Sequence, residues 1–408
     1  MNLKLDHKSK NCFGSITITG SKSESNRLLI LKALYPDLEI SNLSNSDDTQ
    51  LTLKALKNNE SIVDIHHAGT AMRFLTAFFS VKPNSKVVLT GSSRMQDRPI
   101  ELLVEALRSL GAEIEYVNKK GFPPLKITGK KIDVSQVALP ADISSQYISA
   151  LMLIAPSLKN GLEIDLIGET TSIPYIKMTQ TLLDNLGFKT FFNNNKIKIS
   201  PADKITLNQW TVESDWSSAS YFYSVVAIAN KSEITLESYY SESLQGDSDL
   251  VQIYKKIGVT TVFNNSSITL SKTPNFALPE VLDLDLRNTP DLAQTIAVSC
   301  FGLGVDCNLT GLHTLKIKET DRLEALKVEL EKLGAIISIT NDSLELRFSG
   351  VINQNISIDT YNDHRMAMAF APLGIKVPIV INNSEVVSKS YPGFWEDFKS
   401  IDFQYDMN

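Results

Sequence analysis

The sequence predicts an α/β protein with more strands than a simple strand–helix alternation needs. One pattern recurs four times: a helix-like segment ends in Leu or Ile, a glycine follows, and a strand-like run begins. The glycines are Gly111, Gly187, Gly258 and Gly334, spaced by 76, 71 and 76 residues. Glycine adopts the left-handed helix-cap conformation at little cost, so each copy predicts a helix end followed by a strand. The spacing indicates a repeated architecture, although the same local pattern is common in any α/β protein.

Short β-rich runs between these copies supply the additional strands. They are 86–90, 162–166 and 232–236, and amphipathic helices alternate with them. One such helix is predicted from Arg98 to Leu110, with Pro99 in its first turn.

Composition limits the classes of function. The 408 residues suffice for two or three domains of about 100–200 residues each, and no low-complexity linker marks a boundary. The net charge of −6 argues against nucleic acid as the main partner. Cys12, Cys300 and Cys307 have no metal-ligand spacing, which favours a reducing compartment. Without a signal-like start or a long apolar run, we expect a cytoplasmic protein. We also expect no metal and no cofactor.

The segment Lys318-Glu319-Thr320-Asp321-Arg322 concentrates two cations and acidic groups within five residues. If it is helical, Lys318 and Arg322 share a face with the pair formed by Glu319 and Arg322. Such a face suits an anionic substrate that also exchanges a proton. A second charged cluster, Asp363-His364-Arg365, lies downstream.

Other segments combine helix starts with polar groups that bind anions. Each of them, taken alone, also fits an ordinary capped helix or a solvated loop. Lys22, Ser23 and Arg27 follow Gly20, but Ser21 separates glycine and lysine, so this is not a Walker A loop; a P-loop enzyme is therefore rejected. The remaining candidates are Gly69 before an apolar run, Arg94 and Arg98 in a polar loop, Ser144, Ser145 and Gln146, Ser172 with Tyr175, Asp291 at a helix start, and Lys389.

Taken together, these segments resemble the 5-enolpyruvylshikimate-3-phosphate synthases. The resemblance runs from Gly20 to Lys389 and keeps the motif order of the family. Its most specific parts are 68–73 (AGTAMR), 318–322 (KETDR) and 361–368 (YNDHRMAM). It implies transfer of the enolpyruvyl group of phosphoenolpyruvate to the 5-hydroxyl of shikimate 3-phosphate, with release of phosphate, through a tetrahedral intermediate.

The resemblance also implies a two-lobed fold. Each lobe would consist of three βαβαββ units arranged as an inside-out α/β barrel, with the active site in the cleft between the lobes. The upper lobe would span residues 22–212, and the lower lobe residues 1–21 and 213–408. We further expect a monomer that binds no nucleic acid and no membrane.

The resemblance implies a role for each residue that matches a motif of the family. The shikimate 3-phosphate site would comprise Lys22, Ser23, Arg27, Ser144, Ser145, Gln146, Ser172, Tyr175, Asp291 and Lys318. The phosphoenolpyruvate site would comprise Lys22, Gly69, Arg94, Gln146, Arg322, Arg365 and Lys389. The resemblance implies Asp291 as the base for the hydroxyl proton; for the methylene proton, Glu319 and Lys22 both remain open as donors. Gly69 resembles the position where added bulk blocks the herbicide glyphosate.

Three positions depart from the family pattern. His67 and Thr314 stand where asparagine is common, and Phe74 stands where proline is common. None of them removes a charged catalytic group.

Two rival functions remain. The sister enzymes that act on a UDP-linked amino sugar commonly carry a cysteine in the loop that here reads Gly91-Ser92-Ser93-Arg94-Met95, which has none. A non-catalytic phosphosugar-binding protein on the same scaffold would be expected to lack Asp291, Glu319 or Lys22, and all three are present.

Overall fold

The computed structural model describes residues 1–57, 60–141, 144–168 and 173–407. The chain divides into two compact units. The discontinuous unit consists of Met1–Thr19 and Glu213–Asn408, and the continuous unit of Gly20–Val212. Gly20 and Ser21, which we expected in the lower lobe, thus fall in the continuous unit. Gly20 packs so closely on Asn42 and Val212 of that unit that no Cβ would fit there.

The described strands are short, and most belong to four-stranded sheets. They are β1 (Leu3–Asp6), β2 (Asn11–Ile16), β3 (Glu39–Ser41), β4 (Ile62–Asp64), β5 (Lys86–Thr90), β6 (Glu113–Tyr116), β7 (Leu125–Thr128), β8 (Gln136–Pro140), β9 (Leu162–Ile167), β10 (Thr190–Asn193), β11 (Lys196–Ile199), β12 (Gln209–Thr211), β13 (Lys231–Glu237), β14 (Val259–Asn264), β15 (Ser267–Lys272), β16 (Val281–Asp285), β17 (Asp306–Thr310), β18 (Ile336–Ile339), β19 (Leu344–Arg347), β20 (Ile356–Ile358), β21 (Ile379–Ile381) and β22 (Gln404–Met407).

The helices alternate with these strands. They are α1 (Lys22–Leu34), α2 (Asp47–Lys57), α3 (Gly69–Val81), α4 (Ser93–Gln96), α5 (Glu101–Ser109), α6 (Ser145–Ile154), α7 (Ile173–Asn185), α8 (Trp216–Ile228), α9 (Leu250–Lys255), α10 (Ala293–Leu303), α11 (Arg322–Lys332), α12 (His364–Phe370) and α13 (Phe394–Ser400). The expected helix from Arg98 begins only at Glu101, so Pro99 precedes its first turn. Across the described ranges, no helix combines the length and the apolarity that crossing a bilayer requires.

One sheet topology recurs in both units. Two parallel strands come first in the chain, and an antiparallel hairpin then adds to the second of them. The sheets with this order are β4-β5-β7-β6, β8-β9-β11-β10, β2-β13-β15-β14 and β16-β17-β19-β18. The order β20-β21-β1-β22 is the same, except that the first strand of the chain fills the third place, with Leu3 opposite Ile381 and Met407. In the described residues of the continuous unit, the third sheet is reduced to the parallel pair β12-β3.

The four predicted helix-capping glycines are confirmed. Their φ angles are +105° at Gly111, +95° at Gly187, +86° at Gly258 and +105° at Gly334. A side chain would strain this backbone conformation, so the recurring glycine has a local cause. The predicted strands 86–90, 162–166 and 232–236 are also present, as β5, β9 and β13.

In each unit a set of buried helices lies inside, and the sheets lie outside. Nearly every residue of α3, α6, α8, α10 and α12 is buried, whereas strands such as β8 and β11 alternate buried and exposed side chains. This inverts the usual α/β layering, in which helices cover both faces of a sheet. Where the buried helices meet, hydroxyl groups form hydrogen bonds with one another. Ser299 Oγ, for example, donates to Ser224 Oγ at 2.8 Å.

Candidate functional site

A buried arginine in the discontinuous unit holds three carboxylates together. Arg322 is 2% exposed. Its Nε donates to Asp363 Oδ2 at 2.7 Å, its Nη1 to Asp291 Oδ1 at 2.9 Å and its Nη2 to Glu319 Oε2 at 2.8 Å. Burial alone would lower the pKa of Arg322, but the three carboxylates raise it above its usual value. The guanidinium therefore stays charged and fixes its partners in place.

The helical premise for residues 318–322 was wrong. Helix α11 begins at Arg322, and Asp321 caps it by accepting from the backbone N–H groups of Leu323 and Glu324. Lys318 and Glu319 precede the helix. Glu319 still reaches Arg322, because the non-helical turn before the N-cap brings its carboxylate back over the helix start. Asp and Thr favour cap and turn positions over helix interiors. Thr320 and Asp321 therefore favour a helix that begins after them.

Asp291 lies in a 3₁₀ turn, Pro290–Leu292, directly before α10. It does not cap that helix; its carboxylate faces three cations instead. Besides Arg322, these are Lys318 Nζ, 3.4 Å from Oδ1, and Arg365 Nη2, 3.2 Å from Oδ2. Burial would raise the pKa of Asp291, but the charges of Lys318, Arg365 and Arg322 hold it well below its usual range. Asp291 is therefore an ionised carboxylate.

Arg365 lies in the first turn of α12, where Asp363 caps the helix by accepting from Arg365 N at 2.9 Å. Its guanidinium donates to the backbone oxygen of Asp291 at 3.3 Å and to Ser217 Oγ at 3.3 Å. Asp363 thus orients both arginines, one through its carboxylate and the other through the helix start.

Lys389 completes the cluster, with its Nζ 3.0 Å from Glu319 Oε1. The discontinuous unit therefore brings together Asp291, Lys318, Glu319, Arg322, Arg365 and Lys389, which are the six site residues predicted in this part of the chain. With Asp363, the cluster contains four cations and three carboxylates. This excess of positive charge suits an anionic ligand, and the carboxylates supply groups that exchange protons.

In the continuous unit, α1 carries Lys22 and Ser23 in its first turn, with Ser21 as the N-cap. Arg27, one turn later, is buried and donates to Ser23 O at 2.7 Å, Thr179 Oγ1 at 2.7 Å and Ser149 Oγ at 3.0 Å. Burial lowers the pKa of Arg27 to about 10, so it remains charged at pH 7. Its guanidinium also lies over the rings of Phe74 and Tyr175, at 5.4 and 5.9 Å from their centroids. The unusual Phe74 therefore serves as a support for Arg27.

The start of α6 carries three predicted residues. Ser144 caps the helix by accepting from Gln146 N, and Ser145 is buried. Gln146 Nε2 donates to Thr70 Oγ1 at 3.3 Å, which links this helix to the Gly69 segment. Tyr175 lies in α7 beneath Arg27. Ser172 lies outside the described residues.

The first residue of α3 is Gly69, and arginines crowd it. A Cβ there would lie 2.5 Å from Arg98 Nη1 and 3.2 Å from Arg73 Nη1. Arg73 is buried and donates to Gly69 O at 2.9 Å. Arg94 is exposed in the short helix α4.

Several residues of these clusters were not among the predicted site residues. Asp363 was visible in the motif beside Arg365, and Arg98 in the same loop as Arg94, so sequence proximity was an available signal for both. Ser217 contacts Arg365 of the cluster, and Asp247 contacts Ser217 from behind it, only through the packing of α8; no local pattern marks either residue.

Comparison with known proteins supports the family resemblance found in the sequence. The family described as EPSP synthase (3-phosphoshikimate 1-carboxyvinyltransferase) matches residues 56–398. A protein of Bacteroides fragilis named 3-phosphoshikimate 1-carboxyvinyltransferase is 47% identical, over 95% of each chain. A Haemophilus influenzae protein of the same name is 34% identical, over 95% of this chain and 96% of its own.

A solved structure of EPSP synthase from Acinetobacter baumannii shares the fold. The TM-score is 0.81 at 22% identity, and the match covers 100% of both chains. A second structure from that organism matches with a TM-score of 0.80. The two-lobed inside-out α/β architecture predicted from the sequence is that of this fold, and the chain belongs to the EPSP synthase family.

Proposed function

We propose that this protein transfers the enolpyruvyl group of phosphoenolpyruvate to the 5-hydroxyl of shikimate 3-phosphate and releases phosphate. The observation that carries the proposal is the cluster in which Asp291 and Glu319 share the buried Arg322 and are flanked by Lys318, Arg365 and Lys389. Both substrates are polyanions, and both half-reactions move a proton. The cations of this cluster can bind the anionic substrates, and its carboxylates can transfer the protons.

The proposed addition forms a bond between the 5-hydroxyl oxygen and C2 of phosphoenolpyruvate. Asp291 accepts the hydroxyl proton, and the methylene carbon gains a proton from Glu319 or Lys22. Elimination breaks the bond from C2 to the phosphate oxygen. The methyl group returns its proton to the residue that supplied it, and the proton held by Asp291 passes to the departing phosphate. The cations around Asp291 and Glu319 stabilise the charge that develops on the leaving phosphate.

We assign the substrate contacts by unit. In the continuous unit, Lys22, Ser23, Arg27, Ser144, Ser145, Gln146, Ser172 and Tyr175 contribute to the shikimate 3-phosphate site. Lys22, Gln146, Gly69 and Arg94 contribute to the phosphoenolpyruvate site. Because Arg27 donates to its own helix and to Thr179 and Ser149, we expect it to order the site as well as to bind.

We propose that residues of both units contribute to the site. We further propose that the enzyme acts as a cytoplasmic monomer without a cofactor.

The direct test is phosphate release from purified protein supplied with both substrates. We expect release that requires phosphoenolpyruvate and shikimate 3-phosphate together. Replacing the shikimate 3-phosphate with a UDP-linked amino sugar distinguishes the sister activity, and we expect no release in that reaction. Binding of both substrates without release would instead favour the non-catalytic phosphosugar-binding protein.

Arg365→Ala is expected to raise the KM for phosphoenolpyruvate by about ten- to a hundredfold, the range for a hydrogen bond to a charged group. The KM for shikimate 3-phosphate should change much less. Steady-state kinetics with each substrate varied in turn measures both. Arg347→Ala is a matched control, because Arg347 is a partly exposed arginine of the same unit that pairs with Asp306 and Glu345. An unchanged KM for phosphoenolpyruvate in Arg365→Ala would refute the assignment.

Gly69→Ala is expected to weaken inhibition by glyphosate by about tenfold or more, in line with the cost of overpacking. The added methyl group would meet Arg98 Nη1 at 2.5 Å, so the arginine must move. Inhibition is measured against phosphoenolpyruvate. Gly393→Ala is the control, because a Cβ there lies 3.9 Å from its nearest neighbour, Asp397 Oδ2. Unaltered inhibition of the Gly69 variant would argue against its placement in the phosphoenolpyruvate site.

A further inference from the structure

A buried carboxyl group lies behind the proposed site without belonging to it. Asp247 is 6% exposed and sits in the 3₁₀ turn Gly246–Asp249, just before α9. Its Oδ2 accepts a short hydrogen bond from Ser217 Oγ. Ser217 lies in the first turn of α8.

Ser217 connects this carboxyl group to the proposed phosphoenolpyruvate site. Its Oγ accepts from Arg365 Nη2 at 3.3 Å, and the same nitrogen lies 3.2 Å from Asp291 Oδ2. Arg365 is therefore held between Asp291 on one side and Ser217 on the other.

The direction of the hydrogen bonds matters, because a hydroxyl group has one proton. When Asp247 is ionised it can only accept, so the Ser217 proton points to it and the oxygen lone pairs face Arg365. When Asp247 is protonated, its own proton can point to Ser217. The serine proton is then released from Asp247, and the lone pairs of Ser217 are no longer held towards Arg365, so the support of Arg365 weakens.

We propose that Asp247 acts through Ser217 as a positioning residue that orients Arg365 for the anionic group of phosphoenolpyruvate. The proposal rests on the proposed function and adds two residues to it. It also gives the phosphoenolpyruvate site a dependence on pH that does not come from the substrate.

The charges around Asp247 place its titration in an accessible range. Burial raises the pKa of Asp247 to about 6; Arg365 opposes this rise, whereas Asp291 and Asp215 add to it. The orientation of Ser217 by Asp247 is therefore complete above about pH 7 and weakens as the pH falls through about 6.

Ser217→Ala tests the connection. We expect a KM for phosphoenolpyruvate about tenfold higher at pH 8, with the KM for shikimate 3-phosphate and kcat changed by less than about threefold. Ser217→Thr retains the hydroxyl and should restore the KM. Ser218→Ala is the matched control, because that neighbouring hydroxyl bonds to Asp215 instead of Asp247.

Asp247→Asn tests the titration. The amide oxygen still accepts from Ser217, so we expect a KM near that of the wild type at pH 8. Phosphoenolpyruvate carries a phosphate group that itself titrates near pH 6, so the readout is the difference between the two enzymes. From pH 8 to pH 5, kcat/KM for phosphoenolpyruvate should fall more steeply for the wild type than for Asp247→Asn, by up to about tenfold.

The outcomes separate this proposal from the proposed function. An active wild type whose KM for phosphoenolpyruvate is unchanged by Ser217→Ala overturns the positioning role. Identical pH profiles of the wild type and Asp247→Asn overturn the titration. A wild type that releases no phosphate from the two substrates overturns the proposed function, and this proposal with it.

Discussion

Asp291→Ala is expected to lower turnover at least about a hundredfold, the loss typical of removing a general base. In the unliganded protein, Lys318, Arg365 and Arg322 hold the pKa of Asp291 well below its usual range, against the effect of burial. An anionic substrate that engages Lys318 and Arg365 withdraws part of this positive charge. The pKa of Asp291 then rises, and the carboxylate becomes a better proton acceptor when the hydroxyl group is present.

Single-turnover and steady-state rates measure the effect, and calorimetry with shikimate 3-phosphate shows whether binding survives within about tenfold. Asp291→Asn is the matched variant, because it keeps the shape of the side chain but accepts no proton. It should be nearly as slow as Asp291→Ala. Near-normal turnover in either variant would exclude Asp291 as the base.

The depressed pKa of Asp291 also has a consequence for the pH profile. A carboxylate whose folded-state pKa lies below its unfolded value stabilises the fold above about pH 4, and this stabilisation is lost as the pH falls further. In the free enzyme, whose ionisations kcat/KM reports, Asp291 thus stays ionised throughout the range in which kinetics are measured. A loss of kcat/KM near pH 6 must come from another group.

Asp363→Ala is expected to lower the free energy of unfolding by about 3 kcal/mol, the low end of the range for breaking a buried ion pair. Asp363 is 0% exposed, and its Oδ2 accepts from Arg322 Nε at 2.7 Å. Its loss leaves Arg322 with only two of its three carboxylates and removes the side-chain cap of α12. Urea unfolding at pH 7 measures the change.

Asp363→Asn separates the two effects of Asp363. Asparagine is as good an N-cap as aspartate, so this variant keeps the cap and loses only the charge. Its free energy of unfolding should exceed that of Asp363→Ala by about 1 kcal/mol, which is the usual contribution of an N-cap side chain. If Asp363→Ala unfolds at the same urea concentration as the wild type, the buried pair with Arg322 contributes nothing to stability.

Local patterns predicted the parts of this protein that have local causes. The glycines at 111, 187, 258 and 334 adopt positive φ because a helix end requires it, and that requirement is visible in the sequence. The helical premise for residues 318–322 failed for a local reason as well. Asp321 competes as an N-cap, and charge spacing alone does not reveal this competition.

The sequence by itself determined the family, the repeat and the identity of the charged residues, because these depend on residue types and on their order. Only the tertiary structure decided how those charges pair. Arg322 meets carboxylates from positions 291, 319 and 363, and Arg365 meets a serine at position 217. These contacts join residues up to 148 positions apart, and they form because buried helices and the turns before them converge. Convergence depends on packing across the whole unit, which no single segment of the sequence encodes.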